Sequence, residues 1–382
     1  MKFSDFLKNY PEVKVANEKD SDRILDFFDK TSMKGDGLVI SYERKPDFFK
    51  FLKYSSPKFI VFYAEKDDEI MCVATIIFRP GKVNGKNTHV GYLGDLRVTF
   101  DKRLALLWRR FYGDLLAHMN TFDDFYNCNY LLTAIIDENK RAVKALVNNP
   151  KLSCDYIKKS SYEMVNILMK IPFLGSKIRK DIIISRGTNE NKESLRLFLE
   201  AENEHKNFGF CFNDFHNELE YRLENWDDLS MDNFIIIESK GEIIATTALW
   251  SPSKAKKIIV EQIPSNQKFL LNLLSVVTKV PKEKQELSVL YLTFLTLSEK
   301  LTQEMREEVF HDLVAYIYKN KLSKDYHLLA YTEYPNQFPL KKGLNGFIHF
   351  ETPMTLYQVL DKNFLEFDLD SGFPPGFEMS LV

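Results

Sequence analysis

Charged side chains gather where a predicted strand runs into a predicted helix, within the stretch from Tyr92 to Met119. Asp95 lies on the strand, and Lys102 and Arg103 lie in the short turn that follows it. A helix that begins after such a turn points free backbone N–H groups beyond its first residue, and this geometry suits phosphate. The turn is therefore a candidate phosphate site. Arg109 and Arg110 add further positive charge along the helix. The other interpretation is that all these charges form a solvated helix face.

The elements that would position these charges are clear from the spacing of apolar residues. Leu93, Leu96 and Val98 alternate with polar residues, as in a strand, before the turn. After the turn, apolar residues recur at steps of three or four, which is typical of a helix with one buried face: Leu104, Leu107, Trp108, Phe111, Leu115 and Met119. The sequence predicts a strand, a basic turn and an amphipathic helix in that order.

This strand–turn–helix unit resembles the acetyl-CoA-binding motif of the GCN5-related N-acetyltransferase (GNAT) superfamily. In that motif a hydrophobic-Val strand end precedes Arg or Gln, two residues of any type, Gly, any residue, and Gly or Ala. Val98 matches the strand end and Arg103 matches the basic position. Leu106 and Trp108 stand at the two glycine positions, where the family brings backbone close to a pyrophosphate.

A second match to the family lies after the next predicted strand, Tyr130 to Ile136. Asn139 and Ala142 match an Asn and an Ala that the family places beside the pantetheine arm of the cofactor. Leu146 stands where the family often has a tyrosine as general acid. The resemblance extends over roughly residues 13 to 170.

The resemblance implies an acyl-CoA-dependent N-acyltransferase with acetyl-CoA or another acyl-CoA as co-substrate. The implied cofactor-binding residues are Leu96, Val98, Arg103, Leu104, Ala105, Leu106 and Asn139. The backbone N–H groups of Leu96 and Val98 would stabilise the oxyanion. Asp95 would be the catalytic carboxylate that draws a proton from the amine through water, with Asp137 and Glu138 as alternatives. The acceptor would be an amine of a small molecule or a peptide.

The predicted elements occur twice, which indicates two tandem GNAT-like domains of the α/β class with mixed sheets. A hairpin over Phe59 to Phe78 parallels a hairpin over Phe234 to Trp250, and Asn139 parallels Asn336. We predict an N-terminal domain over residues 1–171 and a linker over 172–181. The C-terminal domain would cover 182–382, with an insertion near 254–287 and a C-terminal tail.

Composition limits the remaining classes of function. The 52 basic and 54 acidic residues give a net charge of −2, so binding of nucleic acid through bulk charge is not expected. The four cysteines form no CxxC pair and the seven histidines form no HxH or HxxxH pair, so we expect neither a metal site nor disulfides. No apolar run reaches the ~18 residues that span a membrane. We expect a cytoplasmic chain without a membrane partner.

Two alternatives to the acyltransferase remain open. A catalytically inactive GNAT pair could act as a binding or interaction protein, and a Fem-like transferase could use aminoacyl-tRNA as donor. The second predicted copy departs further from the motif, because its turn after Leu297 has no glycine and no basic residue matching Arg103, and Pro339 follows Asn336. The first domain is therefore the better candidate for chemistry. The acceptor and the oligomeric state are not readable from the sequence.

Overall fold

The protein is described here by a computed structural model over residues 1–30, 39–99, 101–171, 174, 178–264, 275, 278–335, 339–361, 375–376, 378 and 380. The helices are Phe3–Leu7 (α1), Ser21–Lys30 (α2), Lys50–Ser55 (α3), Lys102–His118 (α4), Lys140–Ala142 (α5), Lys192–Asn203 (α6), Glu218–Asn225 (α7) and Gln303–Lys319 (α8). A π-helical turn, Val143–Val147, follows α5 directly.

The strands up to residue 171, which we call the first half, are Val13–Val15 (β1), Val39–Glu43 (β2), Lys58–Lys66 (β3), Glu69–Val83 (β4), Lys86–Val98 (β5), Tyr130–Ile136 (β6) and Cys154–Lys170 (β7). Those from residue 182 onward, the second half, are Ile183–Arg186 (β8), Phe212–Asn213 (β9), His216–Asn217 (β10), Phe234–Ser239 (β11), Glu242–Trp250 (β12), Lys257–Gln262 (β13), Gln285–Glu286 (β14), Val289–Leu297 (β15), Leu328–Glu333 (β16) and Phe347–Asp361 (β17).

Twelve of these strands form one mixed sheet in the order β1-β3-β4-β5-β6-β17-β7-β16-β15-β12-β11-β8. The order repeats outward from the central pair, β17 and β7. On each side come an antiparallel neighbour (β6 or β16), a parallel one (β5 or β15) and then an antiparallel hairpin (β4 and β3, or β12 and β11). The predicted α/β class with mixed sheets is confirmed, and the strands of both halves join in one twelve-stranded sheet.

At the centre of the sheet, the two halves exchange strands instead of lying side by side. The neighbour of β6 is not β7, the next strand along the chain, but β17 from the second half. Strand β7 pairs instead with β16 on one side and β17 on the other. Each half is thus completed by the last strand of the other half. The division into residues 1–171 and 182–382 stays a prediction.

Some predicted segments fall largely outside the described residues. Of the predicted linker 172–181, the structure describes Leu174 and residues 178–181, and Asn336 is not described. Within the predicted insertion near 254–287, residues 265–274, 276 and 277 are not described. No helix in the described ranges is long and apolar enough to cross a membrane.

Packing on the sheet follows the apolar patterns of the two long helices. The buried face of α4 packs against first-half strands through Trp108, Phe111 and Leu115. The buried face of α8 packs against β15 and β16 through Val309, Phe310 and Leu313. A separate three-stranded sheet, β14-β13-β2, joins the halves a second time, because β2 pairs antiparallel with β13.

Candidate functional site

A β-bulge on the central strand β5 places Asp95. Val73 of β4 pairs with Arg97 and Thr75 pairs with Gly94, so Asp95 and Leu96 together stand opposite the single residue Ala74. A bulge leaves one residue outside the regular ladder and re-aims its side chain. Asp95 has a φ of 55°, in the left-handed region that Asp adopts more readily than most residues.

Strand β5 separates from its parallel neighbour β6 just before this bulge. Their pairing runs from Val90–Tyr130 to Tyr92–Leu132 and ends there. The Thr133 hydroxyl then donates to the Leu93 carbonyl at 2.9 Å, while β6 continues against β17. We call the gap between residues 94–98 of β5 and 133–136 of β6 the first opening. Leu96 and Val98 belong to the part of β5 that borders this gap.

The Asp95 carboxylate is held by a buried arginine. Arg44 donates two hydrogen bonds of 2.8 Å to the two carboxylate oxygens, and the Thr75 hydroxyl adds a third at 3.2 Å. Burial, the largest single influence, would raise the pKa of Asp95. The charge and hydrogen bonds of Arg44, together with the charges of Lys256 and Arg97, outweigh it and hold that pKa below its ordinary value. The Arg44 guanidinium lies 5.1 Å from the Phe48 ring and 5.0 Å from the Phe51 ring. Asp95 is thus a fixed anion.

A lysine from the second half completes the surroundings of Asp95. The Lys256 ammonium nitrogen lies 4.4 Å from the Tyr42 ring centre and 4.8 Å from that of Phe51. Burial, followed by repulsion from Arg44, lowers the pKa of Lys256 to about 7, although Asp95 opposes the shift. A sizeable fraction of this amine is therefore neutral near pH 7 and able to accept a proton.

Sequence reasoning missed Arg44 and Lys256. Arg44 directly follows β2 and Lys256 directly precedes β13, and these strands pair. Neither residue belongs to a motif or to a charge pattern with Asp95. Only the pairing of β2 with β13 brings both to the bulge, so no signal in the linear sequence pointed to them.

The turn before α4 is arranged differently from the predicted phosphate cradle. Asp101 caps the helix, and its carboxylate accepts the Leu104 N–H at 2.9 Å. This contact is the main cause that lowers the pKa of Asp101, and Lys66 adds an ion pair of 3.0 Å. The side chain of Leu104 is buried in the core, whereas Arg103 and Ala105 are exposed. An internal carboxylate therefore takes an N–H group that the prediction left for phosphate.

The two bulky residues at the glycine positions point away from each other. Trp108 is buried and its ring lies 5.4 Å from that of Phe111 in the core. Leu106 is 56% exposed on the outer side of α4. The prediction that Trp108 belongs to the apolar face of the helix agrees with this placement, and Leu106 lies at the surface.

Asn139 lies across the first opening, in the loop after β6. Its side chain accepts the Ala142 N–H at 3.0 Å and so caps α5. Of the alternative carboxylates, Asp137 accepts a hydrogen bond from Thr355 of β17 at 2.7 Å, and Glu138 is exposed. The structure thus brings Asp95, Leu96 and Val98 to one edge of the opening, with Asn139 on the loop that leaves the other edge.

The second half repeats this backbone with other side chains. Strand β15 has a bulge at Phe294, whose φ is 54°. Thr246 pairs with Thr296 and Ala248 pairs with Thr293. Between these pairs, one residue of β12 therefore stands opposite two residues of β15. The parallel pairing of β15 with β16 ends at Tyr291–Ala330. We call the gap beyond it the second opening. It holds a cavity of about 140 Å³.

The described side chains were compared with the ligand groups that hold metal ions in proteins. They contain no group of three His, Cys, Asp or Glu residues able to hold an ion. All four cysteines are buried and unpaired with one another.

Comparison with known proteins identifies the fold. No protein-family profile matches the chain, and no curated protein sequence does. The structure of N-myristoyltransferase from Saccharomyces cerevisiae with bound myristoyl-CoA matches 92% of this chain and 83% of its own at 10% identity, with a TM-score of 0.56. Another structure of that enzyme, with myristoyl-CoA and inhibitors, matches 92% of this chain and 80% of its own at 11% identity, with a TM-score of 0.56. At this identity the likeness shows the fold alone: the chain has a GNAT-like fold over most of its length.

Proposed function

We propose that the protein is an acyl-CoA-dependent N-acyltransferase that moves an acyl group to an amine at the first opening. The observation that carries the proposal is the bulge at Asp95, on a central strand that parts from its parallel neighbour beside the start of α4. A separated strand edge can pair with the amide groups of an extended ligand. The N-myristoyltransferase structures that share this fold contain myristoyl-CoA, which supports an acyl-CoA donor.

The residues around the opening fit parts of such a donor. The backbone N–H groups of Leu96 and Val98 would face the thioester carbonyl, and Asn139 would lie along the pantetheine arm. The exposed side chains of Lys102 and Arg103 would face the phosphates. The helix N–H groups fit less well, because the Asp101 carboxylate occupies the Leu104 N–H and repels phosphate. The phosphates would therefore contact side chains rather than the end of α4.

Acyl transfer requires the amine nitrogen to attack the thioester carbonyl carbon. A C–N bond forms, the C–S bond breaks, and the thiol leaves with a proton. An ammonium acceptor must first lose one proton. Asp95, anionic and fixed by Arg44, would attract and orient the ammonium. Its lowered pKa makes it a weak base, whereas the pKa of Lys256 near 7 suits proton removal at neutral pH.

Thiol release tests the proposal. Purified protein is incubated with acyl-CoA esters from acetyl to myristoyl and with mixed amine acceptors, comparing wild type with Asp95→Asn. Asn keeps the shape and tolerates the positive φ, so the substitution removes the charge together with one of the two Arg44 hydrogen bonds, because the amide nitrogen cannot accept. We expect turnover for at least one donor and a loss of at least tenfold in Asp95→Asn. Asp137→Asn tests the alternative carboxylate and should retain turnover if Asp95 has the role.

Turnover equal to buffer for every donor would end the enzyme hypothesis. Turnover that survives in Asp95→Asn would remove Asp95 from it, and loss in Asp137→Asn alone would move the carboxylate role to that residue. The Fem-like alternative is tested with aminoacyl-tRNA as donor by following transfer of a labelled amino acid to the amine acceptors, because this ester releases a tRNA hydroxyl and no thiol.

A second candidate is a protein of this fold that binds a ligand without transferring an acyl group. The observation that favours it is the Asp101 carboxylate at the start of α4, paired with Lys66. Calorimetry with CoA tests whether the turn before α4 binds a CoA donor, which the acyltransferase requires. If CoA binds at the turn, Arg103→Glu should weaken binding by roughly tenfold or more, since a charge-assisted contact is lost. Arg110→Glu, with its charge further along α4, is the control. No binding by wild type at millimolar CoA would count against this site.

A further inference from the structure

Another cavity lies at the end of the sheet opposite to the second opening, where β7 ends and β16 begins. Its volume is about 350 Å³, which suits a small ligand. Its walls come from the last residues of β7, the segment around residue 278, the end of α8 and the residues between α8 and β16. We call it the basic cavity, because four lysines line it: Lys170, Lys279, Lys321 and Lys324.

The positive charge of the basic cavity exceeds the negative charge around it. No Asp or Glu is among the described residues that line it. Lys279 donates to the backbone carbonyl of Asp325 at 2.7 Å, and none of the four lysines forms an ion pair within the described ranges. Burial raises the pKa of Tyr326 in the wall, and nearby carboxylates add to the shift: Asp228, Asp325 and Glu286. Asp228 already has a lysine partner at 2.7 Å, so two carboxylates remain against four lysines.

The end of α8 beside the cavity opposes this charge only weakly. A helix C-terminus is equivalent to roughly half a negative charge. Its last carbonyls also accept hydrogen bonds from the residues that follow. The Ile317 carbonyl accepts the Leu322 N–H at 3.0 Å, and the Tyr318 carbonyl accepts the Lys321 N–H at 3.1 Å. An anion in the cavity therefore meets a wall of net positive charge.

His327 supplies a buried donor in the same wall. Its side chain lines the cavity and is 7% exposed. The Ser288 N–H donates to His327 Nδ1 at 2.9 Å, so the ring proton lies on Nε2. Burial, followed by the charge of Lys279, lowers the pKa of His327 to about 4, and the ring is neutral near pH 7. The polar group that this ring can offer to a ligand is therefore the Nε2–H.

We propose that the basic cavity is a binding site for phosphate groups, best matched by a small molecule that carries two of them. The lysines neutralise the charge of the ligand, and the Nε2–H of His327 donates to a phosphate oxygen. A phosphate ester carries up to two negative charges and several acceptor oxygens, so two phosphates match four lysines. The residues that line this cavity do not include those of the first opening, so the site is independent of acyl transfer.

Calorimetric titration of the full chain with pyrophosphate tests the proposal. We expect the wild type to bind pyrophosphate and the double variant Lys170→Met with Lys324→Met to bind it at least tenfold more weakly. Neither lysine is buried, so the double variant should fold, and thermal unfolding verifies this. Lys86→Met, at an exposed lysine that begins β5, is the matched control and should change the affinity less than threefold.

NMR of the His327 ring locates the bound ligand, because pyrophosphate could also contact the turn before α4. A bound anion favours the charged ring, so we expect pyrophosphate to raise the pKa of His327 from about 4, with at least a tenfold gain in proton affinity. The ring signal is identified by its absence in His327→Gln.

Flotation with phosphatidylcholine vesicles, with and without phosphatidic acid, separates two sources of phosphate. Pyrophosphate binding that changes the His327 signal supports a soluble compound. Binding to phosphatidic acid vesicles alone, weakened in the double variant, supports a lipid headgroup. Binding to neither, an unchanged His327 signal with pyrophosphate bound, or equal affinity in the double variant and the wild type would overturn the site. None of these readouts depends on acyl transfer.

Discussion

Asp95 stands at the bulge of β5, and Phe294 stands at the corresponding bulge of β15. The backbones agree: φ is 55° and 54°, and each strand parts from its parallel neighbour near the bulge. The surroundings do not. Asp95 is fixed by an arginine, whereas the Phe294 ring packs against Phe234 at 5.4 Å and Trp226 at 6.0 Å. The side chain at the bulge therefore has a charged partner in the first half and aromatic neighbours in the second.

The difference shows how a repeated backbone can hold very different side chains at the same position. A left-handed φ is easier for Asp than for Phe, so the second bulge depends on surrounding packing while the first has a residue suited to it locally. The ends of the two long helices differ as well. Asp101 caps α4 with a charged carboxylate at 2.9 Å, and Thr302 caps α8 with a hydroxyl at 3.3 Å.

The largest expected effect comes from breaking the ion pair of the first bulge. Arg44→Met leaves the Asp95 carboxylate largely buried without its partner, which should lower the free energy of unfolding by about 3–5 kcal/mol. Urea unfolding measures it. The double variant with Asp95→Asn should recover part of the loss, because no unpaired charge remains. Lys300→Met, which breaks an exposed pair with Glu242, should cost less than about 1 kcal/mol. Equal losses of unfolding free energy in Arg44→Met and Lys300→Met would contradict the expected difference between a buried and an exposed ion pair.

An intermediate effect should depend on pH through Lys256. Because its pKa is lowered to about 7 in the folded protein from 10.5, the folded state holds fewer protons between these values, and this contribution to stability rises with pH there. Lys256→Met removes this dependence of the free energy of unfolding on pH. We expect the variant to be more stable than wild type by roughly 1–3 kcal/mol at pH 6.5, with the difference shrinking by pH 9.5. Chemical denaturation at several pH values measures the difference in stability. Lys257→Met, at the first residue of β13, is the control. A constant difference across pH would contradict the assignment.

The smallest effects concern the helix caps. Thr302→Ala should lower the free energy of unfolding by about 0.5–1 kcal/mol, since one N–H group of α8 loses its acceptor. Asp101→Ala should cost more, because the carboxylate also interacts favourably with the positive end of α4. Thermal unfolding of the two variants compares them, and adding salt should reduce the effect of Asp101→Ala alone. A larger loss in Thr302→Ala would reverse the proposed order.

Much of the architecture could be predicted from local sequence. The hairpins over residues 58–83 and 234–250 lie where alternating apolar residues flank short turns. Helices α4 and α8 lie where apolar residues recur at three and four, and Trp108 lies on the buried face as its spacing indicated. These patterns are local: a helix face or a hairpin turn is fixed by residues close together in the chain.

The tertiary structure alone decided which strands meet. The sequence of β17 carries Pro353, which weakens a strand prediction, and nothing in it indicates that it inserts between β6 and β7. The pairing of β2 with β13 likewise brings Arg44 and Lys256 to Asp95, and the C-terminal segment brings Glu378 to Phe294. Such contacts depend on which distant strands pair and on burial, and alternation along one strand encodes neither its partner nor the charge opposite it. The residue types therefore determined the elements, whereas the pairing of distant strands determined the chemical surroundings of both openings.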